Sequence, residues 1–169
     1  MRIQYSGRLR IFAVIAGCLM ATSCAAGTVT ISAQDPAFAG LPHELVAEVL
    51  ESPVAKQRVA GDDEALAKAR YQGMVRNYAA CRAALAVYQE WMRTGRAAAY
   101  PPQPRPSNPA SFAEDMDRDI ANFRQLARSG DISLLRQELT SDSGCGAWIP
   151  AKPGDPSGPT ISDVVRGVR

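Results

Sequence analysis

The 169-residue chain is 46% hydrophobic, 21% charged and 7% aromatic, with a formal net charge of +2. Arg2, Arg8 and Arg10 supply three of its 19 basic residues, so the remainder carries 16 against 17 acidic residues, about −1. That balance excludes the basic footprint of a nucleic-acid binder, and a body of about 145 residues is one domain's worth with a single core.

Residues 1–23 read as an export signal. The three arginines form a basic segment without an acidic residue, and Ile11 to Thr22 is an uncharged run that is short for a span of about 20 residues. It ends at Ser23-Cys24-Ala25-Ala26, small residues suited to cleavage. An uncleaved membrane anchor is the alternative. Two cysteines stand where a lipid can be attached. Ile15-Ala16-Gly17-Cys18 has the better residue types before its cysteine, whereas Ala21-Thr22-Ser23-Cys24 has the full apolar run. Counting thiols favours Cys24. Processing there discards Cys18 and leaves Cys81 and Cys145 as a pair, whereas processing at Cys18 strands Cys24 as a free thiol in an oxidising compartment. A plain cut after Ala25 or Ala26 also removes both and gives a secreted protein. These residues resemble the signal and lipid-attachment motif of small bacterial lipoproteins, and the Ala- and Arg-rich usage is similar to that of actinobacterial and mycobacterial ones. The resemblance covers residues 1 to about 26. It implies an exported chain, lipid-anchored to the outer face of the cytoplasmic membrane, with Cys24 (alternatively Cys18) bearing the lipid, and says nothing about activity.

Residues 24–40, small and polar with Gly27, Pro36 and Gly40, read as a flexible tether. Pro42 suits the first position of a helix over 42–52, with Leu45, Val46, Val49 and Leu50 at helical spacing and Pro53 as its stop. The strongest pattern lies over 63–94. Asp62 or Asp63 can cap it and Gly95 can close it. Tyr71, Met74, Tyr78, Cys81, Leu85, Tyr88 and Met92 fall at alternating steps of three and four, a seam that puts Cys81 on the buried face. Gly73 is a candidate bend. Residues 100–109 hold five prolines and favour extended geometry, as a stiff crossover or a ligand for a proline-recognising groove.

A helix over 109–129 follows, capped by Asn108 or by a Ser111–Glu114 capping box, with Phe112, Met116, Ile120, Phe123 and Ala127 on one stripe. Asp131 caps a shorter helix over 132–140 that turns Ile132, Leu135 and Leu139 inward. Residues 141–146 are a turn-rich loop. The Pro/Gly-rich tail, 150–169, reads as extended, with a brief helix or strand at 161–166.

Few residues carry recognisable chemistry. Cys81 and the glycine-flanked Cys145 are expected to form a structural disulfide; a redox-active pair lacks the Cys-x-x-Cys arrangement. Glu114, Asp115, Asp117 and Asp119 lack the glycine turn and terminal glutamate of a calcium loop and read as an acidic first turn favoured by the helix dipole. His43, the one histidine, leaves no usual zinc set and no base for a nucleophile. Tyr71, Met74, Tyr78 and Tyr88 form a stripe that can face a ligand, haem included, although the same stripe is an ordinary helix seam.

The expectation is therefore an all-α domain at 41–149, a small bundle of three to four helices with one long central helix, closed by a single disulfide. Its expected role is a non-enzymatic binding module, meeting the membrane through a lipid anchor and taking an envelope protein partner or a small apolar ligand, with an apolar patch near Tyr100 or Trp148. No metal and no cofactor are expected. A haem or lipid carrier is the first alternative and a hydrolase the second.

Overall fold

Prolines or capping side chains set where most of the helices begin. The computed structural model describes residues 30–97, 107, 110–128, 132–141, 145 and 148–167. In chain order a 3-10 turn at Pro36–Phe38 precedes α1 (His43–Glu51), α2 (Pro53–Arg58), α3 (Glu64–Thr94), α4 (Phe112–Arg128), α5 (Ser133–Thr140) and α6 (Ile161–Arg166). Among the described residues the only β pairing is an isolated bridge between Pro150 and Thr160. The all-α architecture, the long central helix and the disulfide are as the sequence predicts.

Helix α3 runs for 31 residues without a break, about 45 Å at the standard rise. The Asp63 side chain accepts from the Leu66 N–H at its start, and Gly95, in the left-handed conformation at φ 67°, closes its end. The 3-10 turn, α1, α4, α5 and α6 all pack on α3, while α2 packs on α1. The expected seam is the core-facing stripe: Tyr71, Met74, Tyr78, Cys81, Leu85 and Tyr88 are buried. Met92 is the exception at 61% exposure.

Gly73 sits within α3, and a Cβ placed on it meets nothing within 4 Å. A glycine in a helix interior costs about 1 kcal/mol relative to alanine, and here neither packing nor backbone conformation requires it. Gly73→Ala is accordingly expected to stabilise the domain by about 0.5–1 kcal/mol, read as a higher midpoint in urea denaturation with an unchanged slope.

Pro53 ends the first helix and also opens another. Ser52 Oγ accepts from the Ala55 N–H at 3.3 Å, and Pro53 occupies a position where its missing N–H costs nothing, giving α2. Pro42 is the residue before α1, not its first helical residue. The Ser111–Glu114 capping box forms as expected, with Ser111 N–H donating to Glu114 at 2.7 Å and Glu114 N–H to Ser111 Oγ at 3.2 Å. Glu114 also accepts from the Ser107 N–H and hydroxyl, at 2.9 and 2.6 Å. The Ser107 hydroxyl and the Ser107 and Ser111 N–H groups hold its carboxyl at about 2, well below the ordinary value of 4.5. The other cap considered, Asn108, lies outside the described residues, as does most of the 100–109 crossover.

Two segments read as loose from the sequence are docked. Of the 24–40 tether, the part from Ile31 onward packs on the core, with Phe38 only 3% exposed. The Gln72 amide donates to the Ala37 carbonyl, and Lys68 bridges Asp35 at 2.7 Å and Glu64 at 2.6 Å. Phe38, with Ile31 and Ala33 packed beside the core, seats a run of otherwise small residues. The tail is likewise part of the fold. Thr160 and Asp163 form a capping box for α6, which buries Ile161 and Val165, and Ile161 N–H donates to the Ile149 carbonyl at 2.9 Å.

Cys81 and Cys145 are bonded, with Cα atoms 5.3 Å apart across a sequence separation of 64. The bond ties the segment after α5 to the middle of α3, and both residues are buried.

Candidate functional site

On the inner edge of α1, Glu48 gathers three parts of the chain. Its carboxylate accepts two hydrogen bonds from Arg82 of α3, at 2.6 and 2.9 Å. It also accepts from the Tyr78 hydroxyl at 3.2 Å and from the Gly154 N–H at 3.2 Å. The Glu48 and Arg82 side chains are only 14% and 17% exposed. Burial pushes the Glu48 carboxyl up, but the Arg82 guanidinium, the Gly154 N–H and the Tyr78 hydroxyl outweigh it, leaving the group below the ordinary carboxylate range. Burial, with the Glu48 charge beside it, drives the Tyr78 phenol the other way, far above its usual value.

A ladder of rings and cations extends from this node. The Arg82 guanidinium lies 4.5 Å from the Tyr78 ring centroid. The Tyr78 ring packs tilted on Trp148 at 5.5 Å, and Arg58 of α2 lies over Trp148 at 4.8 Å. The far end of the ladder, Arg58, stands at the rim of an open cleft of about 350 Å³ between α2 and α3, lined by Arg58, Arg70, Gly73, Met74 and Asn77. Asn77 also borders a second cleft, about 270 Å³, between α3 and α4. There Arg76 and Arg118, the latter at 2.6 Å, both pair with Asp115. Asp119 lines the same cleft, its carboxyl raised by burial.

The expected ligand-facing residues separate in this geometry. Met74 alone reaches the open cleft between α2 and α3. Tyr71, Tyr78 and Tyr88 lie within the core at 5%, 1% and 9% exposure. With its hydroxyl on Glu48 and its ring between Arg82 and Trp148, Tyr78 is committed to the fold. Trp148 is half-buried beneath Arg58, and Tyr100 lies outside the described residues. His43 stands exposed at the start of α1. Asp115 and Glu114 are engaged as an ion-pair partner and a helix cap. Among the described residues no group of three or more His, Cys, Asp or Glu side chains could hold a metal, and no helix is long and apolar enough to cross a membrane. Cys18 and Cys24 fall outside the described residues.

Sequence reasoning missed Glu48, Arg82, Arg58 and Arg70. Two of them carried a faint signal. Glu48 lies one residue from Val49 on the inward face of α1, and Arg82 follows Tyr78 by four residues on α3. A charge at the edge of an apolar stripe suggests a partner on the facing helix, though not which one. No protein-family model, curated protein or solved structure matches this chain.

Proposed function

We propose that the chain is a non-enzymatic, exported cell-envelope lipoprotein whose helical domain binds a small molecule in the cleft between α2 and α3. The observation that carries the binding assignment is what this cleft contains. Arg58, Arg70, Met74, Asn77 and the gap left by Gly73 are groups that hold a ligand, and they include neither nucleophile nor general base. The buried Cys81–Cys145 bond supports export, because such bonds persist in oxidising compartments. Attachment at Cys24 fits the same count, since it leaves no unpaired thiol in the mature chain. The docking of the chain from Ile31 onward leaves a short stretch between Cys24 and the domain, so an anchored domain stays close to the membrane surface.

The test is native mass spectrometry of the protein extracted gently from the envelope of its host. A stoichiometric small molecule is expected on the wild type and absent from Gly73→Leu, whose added side chain starts from a position where a Cβ meets nothing within 4 Å and occupies the cleft. A bare wild-type domain, or a ligand that Gly73→Leu retains, contradicts the assignment.

A further inference from the structure

The geometry points to a specific ligand class for this cleft: an amphipathic anion, a carboxylate or phosphate group on an apolar tail. The inference rests on the cleft being the binding site and adds what it binds.

Three features converge on it. Arg70 is held in one orientation: its Nη1 donates to the Arg58 carbonyl at 2.9 Å and its Nε lies 3.2 Å from the Asp62 carboxylate. Such anchoring pre-organises the planar fork that matches carboxylate and phosphate oxygens. Arg58 has no carboxylate partner among the described residues, and its guanidinium rests on Trp148 at 4.8 Å. Two arginines against the single Asp62 leave the cleft with positive charge in excess, which favours an anionic head. The third feature is the floor. Gly73 gives up helix stability with no return in packing, since nothing lies within 4 Å of where its Cβ would stand. What its missing side chain leaves is depth beside Met74, whose polarisable thioether adapts to an apolar chain. At about 350 Å³ the space is at the small end of ligand sites and suits a short tail.

The test titrates the mature protein by calorimetry and by Trp148 fluorescence in a Trp91→Phe background, below the micelle concentration of each probe. Octanoate and octyl phosphate carry both head and tail, inorganic phosphate the head alone, and octyl glucoside the tail with a neutral head. Saturable binding of the two amphipathic anions is expected, with the other two at least about tenfold weaker. Arg58→Gln and Arg70→Gln should each weaken octyl phosphate about tenfold. Gly73→Leu should abolish binding while melting no lower than the wild type, which separates a blocked cleft from a damaged fold. Equal binding of octyl glucoside, or unchanged affinity in both arginine variants, overturns the anion assignment. If Gly73→Leu nonetheless blocks octyl glucoside, the cleft remains the binding site. Absence of saturable binding by either anion overturns the ligand class, whereas a ligand retained by Gly73→Leu on native extraction overturns the site itself.

Discussion

Removing the Cys81–Cys145 bond is expected to cost about 4 kcal/mol of stability. Closing a loop with a sequence separation of 64 removes that much chain entropy from the unfolded state, before any native strain. For a domain whose whole stability is on the order of 5–15 kcal/mol, the loss is a large share. The mechanical consequence is local as well. Cys145 lies between α5 and the Ile149–Ile161 pairing, its N–H donating to the Glu138 carbonyl at 3.3 Å, so the bond fixes the junction that brings α6 back to α3. Urea denaturation of the wild type with and without reductant, alongside a Cys81→Ala/Cys145→Ala variant, measures the effect. The two reduced forms should agree with each other and fall well below the oxidised protein. A loss under about 1 kcal/mol in both would show that helix packing alone sustains the fold.

The second large effect is expected at Glu48. Glu48→Ala leaves the Arg82 guanidinium buried without its carboxylate and strips acceptors from the Tyr78 hydroxyl and the Gly154 N–H. Breaking one side of such a pair costs about 3 kcal/mol, or about 6–12 °C in melting temperature for a domain of this size. Removing both partners tells charge from packing: Glu48→Leu with Arg82→Met should recover most of the loss, because the uncompensated charge goes with its partner. The pH dependence has a definite sign. The Glu48 carboxyl sits lower in the folded protein than its ordinary value of 4.5, so its contribution is complete above about pH 4.5 and is lost as the pH falls through the folded value. Comparing wild type with Glu48→Gln between pH 7 and pH 3 should show a stability gap that narrows on acidification. A gap constant across that range would mean that Glu48 acts through shape alone.

The fold was legible where physics acts over short sequence distances. The alternating threes and fours from Tyr71 to Tyr88 define one face of a helix whatever surrounds it, and with Cys81 on that face the partner in the glycine-rich loop follows. The same rule overextends to Met92, because periodicity cannot say where the packed neighbours stop. Prolines misled in the opposite direction. Pro53 reads as a terminator, yet Ser52-Pro53 is also a helix start, whereas the brief helix or strand read at 161–166 is found as α6, opened by the Thr160–Asp163 capping box. Phe38, Ile31 and the Lys68–Asp35 ion pair dock a stretch whose composition looks like a linker.

The candidate site was far less legible. Glu48 and Arg82 are 34 residues apart, and nothing local to either names the other. The cleft depends on how α2 lies beside α3 and on a side chain that Gly73 lacks. Composition marks Gly73 only as a weak point in a helix. The tyrosine stripe, the most suggestive pattern in the sequence, is drawn into the core, leaving Met74 as its one member at the cleft.

The most direct measurement is the intact mass of the protein taken from the membranes of its native host, read with fragmentation at the N-terminus and with alkylation before and after reduction. The predicted result is a chain beginning at Cys24 that carries acyl mass on that residue, with Cys81 and Cys145 protected until reductant is added. A chain that retains the residues before Cys24 would contradict processing and lipid attachment there, and one whose Cys81 and Cys145 alkylate without reduction would contradict the disulfide-closed domain.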